Sequence, residues 1–175
     1  MSCDFSSGRL YPCKDAIGGI KEVLFAPLVG GKWDAIVAGA VTDTVAVEDY
    51  YRFELSKNSG SFVENIQSSI ENGTVYFEQV LTIQMPKLTA VDNVLLHEIL
   101  KNRLCIVVRD NNNNFRVMGY ATGAEVTGGN WGTGTAKGDL NGYNLVFTAE
   151  EAVPAPFTPN LETAVPASVT VLPAY

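Results

Sequence analysis

The chain has 175 residues, enough for one domain that buries most of its apolar surface. Its 46% hydrophobic content excludes bulk disorder, and 19 acidic against 12 basic residues give a net charge of −7, which argues against a tight nucleic-acid clamp. The amino end lacks the basic front and apolar core of a secretory signal, and no run of about 18 apolar residues occurs. We therefore expect a soluble protein that is made in a cytoplasm and does not bind membranes.

Strand-like segments begin near the amino end. Residues 20–28 predict a strand that Pro27 confines to a sheet edge or a strand end. Residues 35–47 predict one or two further short strands, broken around position 43. This half of the chain therefore indicates a β-rich fold.

Three longer strand candidates follow, at 50–56, 62–70 and 74–85. The turns between them include Asn72-Gly73, a strong hairpin signal, so we expect a meander of three paired strands. Because successive side chains point to opposite faces, one face of the meander should be core and the other wet. The predicted core face carries Tyr51, Phe53, Leu55, Phe77, Leu81, Ile83 and Met85.

The apolar period becomes helical over residues 89–101. Thr89 is the expected N-cap, with Asp92 three residues later. The expected apolar stripe consists of Val91, Val94, Leu95 and Ile99. This is the one helix that the sequence predicts.

The segment after the helix predicts a hairpin, a long loop and a final strand. Residues 104–109 and 115–120 are apolar β-formers around an Asx-rich turn at 110–114. Residues 123–139 are rich in glycine and predict a loop, and 142–150 predict the last strand. We expect a mainly β fold, a sandwich or barrel with one helix.

Composition changes at the carboxyl end. Residues 151–175 hold five of the chain's eight prolines, which predicts an extended arm after a single β-rich domain over 1–150. The arm is more apolar than a linker needs. We expect it to pack along its own body or along a neighbouring subunit.

The order of segments over 103–150 resembles the major tail tube proteins of long-tailed bacteriophages, which are related to the inner-tube proteins of contractile injection systems. The resemblance is carried by a short strand, an Asp/Asn turn, a strand ending in glycine, and the run VTGGNWGTGTAKGDLNGYNLVFTAEE over 126–151. Members of that family are β-sandwiches or barrels with one helix. They form hexameric rings by continuing a sheet across subunits, and the rings stack into a tube through which DNA leaves the virion.

The resemblance implies a structural virion protein of the tail that turns over no substrate. Its partners would be further copies of itself, other tail proteins such as an initiator, a terminator and, in a contractile tail, a sheath, and DNA in transient, non-adhesive passage. The wet meander face would line the lumen with acidic side chains, which keep a polyanion from sticking. From the residues alone, simple solvent exposure explains these carboxylates equally well; they are Glu54, Glu64 and Glu78.

The glycine-rich loop would contact a neighbouring subunit. Its candidate residues are Gly128, Gly129, Trp131, Gly132, Gly134 and Lys137. The loop is not a phosphate-binding Walker A motif, because Lys137 is followed by Gly138 and a strand instead of Ser or Thr and a helix.

No catalytic residue, metal site or cofactor is expected. His97 is the one histidine, and the 110–114 turn lacks the carboxylate spacing of a calcium loop. Cys3, Cys13 and Cys105 lack metal-ligand spacing and are expected to be reduced, although the sequence also permits a Cys3–Cys13 bridge.

A second class of function is open at this stage. The chain could be a tail-completion protein, a capsid-decorating protein or a carbohydrate-binding β-sandwich. Aromatic residues available for a sugar contact are Trp33, Tyr120, Trp131 and Tyr143, although buried packing is commoner for such residues. A sugar-binding module should be a monomer or a small closed oligomer, whereas a tube protomer should form rings and polymers.

Overall fold

The computed structural model describes residues 9, 13–28, 36–41, 50–87, 89–158 and 169–170. Part of the predicted 35–47 segment, Cys3 and Trp33 lie outside the described residues. The helix is α1 Ala90–Ile99. The strands are β1 Ile20–Pro27, β2 Ile36–Val37, β3 Ala40–Val41, β4 Tyr50–Glu54, β5 Gly60–Ser69, β6 Thr74–Pro86, β7 Leu104–Asp110, β8 Phe115–Met118, β9 Glu125–Gly132, β10 Gly142–Glu151, β11 Phe157–Thr158 and β12 Val169–Thr170.

The strands form two sheets, which confirms the mainly β prediction with one helix in the described part. The large sheet has the order β12-β4-β1-β7-β8-β11-β3-β2, and the four-stranded sheet has the order β5-β6-β10-β9. Neither sheet closes into a barrel among these residues. Of the two predicted architectures, the sandwich is therefore the one that forms.

The core between the sheets combines side chains of both sheets and of α1. The Phe25 and Phe147 rings meet across the two sheets with centroids 5.2 Å apart, and Leu96 and Ile99 join the same cluster from the helix. A second cluster lies on the opposite face of the large sheet and includes Leu24, Val41, Tyr50, Cys105, Val107 and Val117. Burial of both faces explains why β7 is a continuous apolar run instead of an alternating one.

The predicted three-strand meander is wrong in its first strand. β4 pairs with β1 in the large sheet, whereas β5 and β6 form a hairpin between themselves, closed by Asn72-Gly73 with Gly73 at φ 62°. The physical reason is that β4 packs one side chain into a core cluster on each of its two faces. Phe53 packs against the core between the sheets, and Tyr50 is buried in the second cluster. An open meander cannot cover both.

The helix starts as predicted, with the Thr89 hydroxyl accepting a hydrogen bond from Asp92 N. The apolar stripe is only partly right. Leu96 and Ile99 are the buried residues, whereas Val91 and Val94 are exposed. Apolar residues occupy more than one side of α1, and only one side can contact the sheets.

The hairpin of β7 and β8 and the final strand β10 are confirmed, but the predicted glycine-rich loop is wrong in its first half. Residues 125–132 form β9, which pairs with β10 in a register that includes Leu145↔Gly129. A Cβ on Gly129 would lie 2.6 Å from Asn144 O, so this glycine permits close strand approach. The loop is confined to 133–141.

The described part of the carboxyl-terminal arm packs along the chain's own body. Ala155 N donates to the Glu64 carboxylate, and Val117 N donates to Pro156 O. The Arg116 guanidinium lies 4.3 Å from the centre of the Phe157 ring in β11. Residues 152–158 thereby cross from the four-stranded sheet to the large sheet.

Candidate assembly surface

The face of the four-stranded sheet that points away from the core is mostly polar and acidic; we call it the outer face. Strand alternation and the register place Asn65, Gln67, Glu78, Thr82, Gln84, Glu125, Asn130, Asn144, Thr148 and Glu150 on it, with Val63, Tyr76, Val80 and Val146 as its larger apolar members. The four strands contain no Lys, Arg or His. Arg103, which lies outside the strands, pairs with Glu125 at 2.8 Å.

The three predicted lumen residues lie on three different surfaces, so the prediction that they share one face is wrong. Glu54 belongs to β4 in the large sheet and is exposed. Glu64 points towards the core side of the four-stranded sheet, and Glu78 alone lies on the outer face. The error has two causes. β4 belongs to the other sheet, and Glu64 is two residues from Phe62 on β5, so it shares the face on which Phe62 packs against the core.

Two inward-pointing carboxylates of this sheet are structural. Glu64 Oε1 accepts hydrogen bonds from Gln79 Nε2 at 3.1 Å and from Ala155 N at 2.7 Å. Glu151, which is 2% exposed, accepts from the backbone N–H groups of Ala121 and Thr122. The Glu64 contacts hold the carboxyl-terminal arm against the four-stranded sheet, and the Glu151 contacts hold the backbone at residues 121 and 122.

Gln79 is a buried polar residue that the sequence analysis did not single out. It is fully buried, and its Oε1 accepts a hydrogen bond from Gly119 N at 3.1 Å. The sequence signal was present, because Gln79 has the same parity as Phe77 and Leu81 on the core face of β6. A glutamine in that series must find hydrogen-bond partners inside the core.

Both edges of the four-stranded sheet are open in the described part of the chain. Gln84 N donates to Ser59 O at 2.7 Å, and Lys87 N donates to Asn141 O at 2.6 Å. Hydrogen-bonded and non-hydrogen-bonded pairs alternate in an antiparallel ladder. These two bonds therefore fix which residues of each strand direct their backbone N–H and C=O groups towards one neighbouring strand and which direct them the other way. The outward-pointing backbone groups are then those of Phe62, Glu64, Ile66 and Ser68 on β5, and of Gly129 and Trp131 on β9.

The same phase makes Glu78 and Glu150 a non-hydrogen-bonded pair directly opposite each other on the outer face. Side chains are closest in pairs of this type, and like charges directly opposite destabilise a sheet. Gln67 Nε2 donates to Glu78 Oε2 at 3.2 Å, which satisfies one oxygen without supplying a positive charge.

A groove of about 570 Å³ lies between α1 and β9 and opens beside the β9 edge. Its lining includes His97, Leu100, Val126, Trp131, Tyr143 and Leu145. Trp131 is 67% exposed, whereas Tyr143 is buried and donates its hydroxyl hydrogen to Asn93 Oδ1. We call this the α1–β9 groove.

The candidate inter-subunit residues divide between a strand and a loop. Gly128, Gly129, Trp131 and Gly132 belong to β9, and Gly134 and Lys137 belong to the 133–141 loop. This loop is closed by its own carboxylate. Backbone N–H groups of Ala136 and Thr135 donate to Asp139 Oδ2 and lower the pKa of that carboxyl below its usual value.

The described residues were also considered as metal ligands. The described residues hold no cluster of three or more His, Cys, Asp and Glu side chains that could bind a metal. Of the aromatic residues considered for a sugar contact, Tyr143 is buried, Tyr120 packs against the second core cluster, and Trp131 is exposed. Among these residues, α1 lacks the length and apolar character of a membrane span.

Comparison with protein-family models, with curated proteins and with solved structures finds no match to this chain.

Proposed function

We propose that this chain is a structural protomer of a phage tail tube, which assembles into stacked rings around a channel for DNA. The observation that carries the proposal is the four-stranded sheet. Its outer face is acidic and has no basic residue in its strands, and both of its edges expose unpaired backbone groups in the described residues. The resemblance of the 103–150 region adds the expectation of six copies in a ring.

The edges are compatible in direction. β5 and β9 lie at opposite edges of the sheet and run antiparallel to each other, given three successive antiparallel pairings. When copies are related by rotation, β5 of one copy meets β9 of the next as an antiparallel neighbour, so each ring would be one continuous sheet. The outer faces would line the channel, with Glu78, Glu125 and Glu150 in place of the set predicted from sequence.

Acidic lining suits the proposed passage of DNA. A basic lining would bind phosphates in a salt-dependent way and retain the DNA, whereas carboxylates repel it. Glu78 and Glu150 face each other in this lining, an arrangement that we expect to cost some stability in an isolated chain. This argument and the resemblance to tail tube proteins both support the proposed function, and neither involves enzyme chemistry.

Negative-stain electron microscopy with size-exclusion light scattering over a concentration series tests the proposal. We expect rings or hollow filaments for the wild type. Trp131→Pro should prevent ring closure, because it removes an N–H that points away from β10 at the β9 edge, whereas Trp131→Ala removes the same side chain but keeps that N–H and should still form rings. Monomers at every concentration, also with polyethylene glycol as a crowding agent, would contradict the proposal.

A further inference from the structure

The hairpin of β5 and β6 extends beyond the sandwich and exposes apolar side chains. β10 ends at Glu151, level with Phe77, and the hairpin continues for three further residue pairs, from Gln67↔Tyr76 to Ser69↔Thr74. This overhang is roughly 10 Å long at about 3.4 Å per residue. Ile66, at the base of the overhang, and Ile70, in its turn, are 68% and 97% exposed, and Val75 is exposed on the same side as Ile66. We call these three residues with the 70–73 turn the hairpin tip.

The α1–β9 groove is a second uncovered apolar surface. Leu100 and Trp131 are exposed at its rim, and the residues that line it include no carboxylate although the chain is acidic. The tip itself has one charged residue, Glu71, and Lys101 follows Leu100 at the end of α1, beside the groove. Apolar character and charge sign are therefore complementary between tip and groove.

The tip cannot occupy the groove of its own chain. In the register of the four-stranded sheet, the groove residues Val126 to Trp131 lie level with Phe147 to Tyr143, towards the start of β10. The tip lies beyond the other end of β10, past Glu151. A contact between the two surfaces therefore joins two copies head to tail.

We propose that the hairpin tip of one copy docks in the α1–β9 groove of a second copy. Ile66, Ile70 and Val75 contact Leu100 and Trp131, and Glu71 lies near Lys101. The contact is heterologous, so every copy offers one tip and one groove, and it extends an assembly without closing it as a dimer. The proposal deepens the proposed function, because it rests on self-association of the chain and names a contact that ring formation by sheet edges does not require.

Site-directed cross-linking tests the contact. In a background with Cys3→Ser and Cys13→Ser, one batch of protein carries Ile70→Cys and a second batch carries Leu100→Cys. Mixed at equal concentration and treated with a short bismaleimide, they should yield a covalent dimer on a denaturing gel. The matched control replaces Leu100→Cys by Val37→Cys, since Val37 is equally exposed on β2 but lies in the large sheet away from the groove, and it should give at least tenfold less dimer.

A second measurement uses two variants that are checked for folding by circular dichroism. Ile70→Glu disables the tip but keeps the groove, and Leu100→Glu disables the groove but keeps the tip. Each alone should lower association through this contact at least tenfold in sedimentation velocity, with Val37→Glu unaffected. Mixed together, they should form dimers that go no further, because each retains the half that the other lacks.

The outcomes separate this contact from the proposed function. Rings or tubes with no Ile70–Leu100 cross-link overturn the docking proposal and leave the tube proposal intact. A specific cross-link in protein that never forms rings supports the docking and contradicts the tube. Glycan binding in the groove by a strictly monomeric chain overturns both.

Discussion

At the scale of single residues, buried charge in the large sheet is concentrated on Glu22. Its carboxylate is 2% exposed and accepts hydrogen bonds from Arg109 Nη1 at 2.8 Å and from Arg52 Nε at 2.7 Å. Arg109 also is buried. Removing one partner of such a group leaves a charge uncompensated in a place that water does not reach.

We expect Glu22→Gln to lower the free energy of unfolding by about 3–5 kcal/mol. Glu54→Gln is the matched control, because Glu54 also contacts Arg52, at 3.3 Å, but its side chain is 74% exposed. Exposed ion pairs contribute about 0–1 kcal/mol, so the control should change little. Urea unfolding of both variants measures the difference, and similar small losses would show that Glu22 is not a central structural charge.

Two adjacent glycines in β9 should respond very differently to a methyl group. Gly129 has φ 152°, and its Cβ would meet the backbone oxygen of Asn144 at 2.6 Å, whereas the nearest atom to a Cβ on Gly128 is 3.9 Å away. We expect Gly129→Ala to destabilise the protein by about 1–3 kcal/mol and Gly128→Ala to stay within about 0.5 kcal/mol. Thermal unfolding distinguishes them. Equal effects would mean that β9 is not held at this distance from β10.

At the scale of elements, the turn between β7 and β8 depends on one carboxylate. Asp110 Oδ1 accepts from the N–H groups of Asn112 and Asn114 at 2.8 Å each, and Oδ2 accepts from Asn114 Nδ2 at 2.9 Å. Partial burial acts to raise the pKa of Asp110, but these hydrogen bonds outweigh it and lower the pKa below its usual value. The turn is therefore tied to the ionised form of the side chain.

This dependence gives stability a defined direction with pH. Because the folded-state pKa of Asp110 is lowered, its contribution is complete above the unfolded-state pKa of about 3.9 and is lost as pH falls through the folded-state value. We expect Asp110→Asn to be less stable than the wild type at pH 7 by about 1 kcal/mol, since the site is solvent-screened, and the gap should close in strong acid. Urea unfolding at pH 7 and at acid pH measures the gap. A gap that is constant with pH would contradict the assignment.

Local signals predicted the elements well, because each signal acts within a few residues. Asn72-Gly73 closes β5 and β6, Thr89 caps α1, and the Asx-rich turn joins β7 to β8. The partner of β4 was not predictable in this way. β1 and β4 are far apart in sequence, and what selects their pairing is burial of Phe53 and Tyr50 on opposite faces by two different core clusters.

The candidate surface shows the same division. Glu78 was placed on an exposed face by alternation within β6, whereas Glu54 failed because its strand belongs to another sheet. The glycines of β9 indicated a loop by composition, but backbone hydrogen bonds to β10 and the close approach at Gly129 make them a strand. Composition cannot distinguish glycine that loosens a chain from glycine that lets two strands come close.

At the scale of the whole molecule, the four-stranded sheet combines features that do not favour a stable monomer. Its two edges are unpaired within the described ranges, its hairpin exposes Ile66 and Ile70, and Glu78 faces Glu150 across the outer face. Each of these features costs stability or invites association in an isolated chain. All three features fit a protomer of an assembly, in which the sheet edges and the hairpin tip contact other copies and the acidic outer face lines the channel.

The Glu78–Glu150 pair allows this view to be tested in the monomer. We expect Glu150→Gln to raise the free energy of unfolding by about 0.2–1 kcal/mol at low salt, because it removes a like-charge contact, and the gain should shrink at high salt as screening increases. Glu71→Gln, at the hairpin turn, is the control and should change stability by less than about 0.5 kcal/mol. Urea unfolding at two ionic strengths measures both. If Glu150→Gln destabilises the chain, the two carboxylates do not repel across the sheet, and the acidic outer face needs no explanation beyond ordinary solvation.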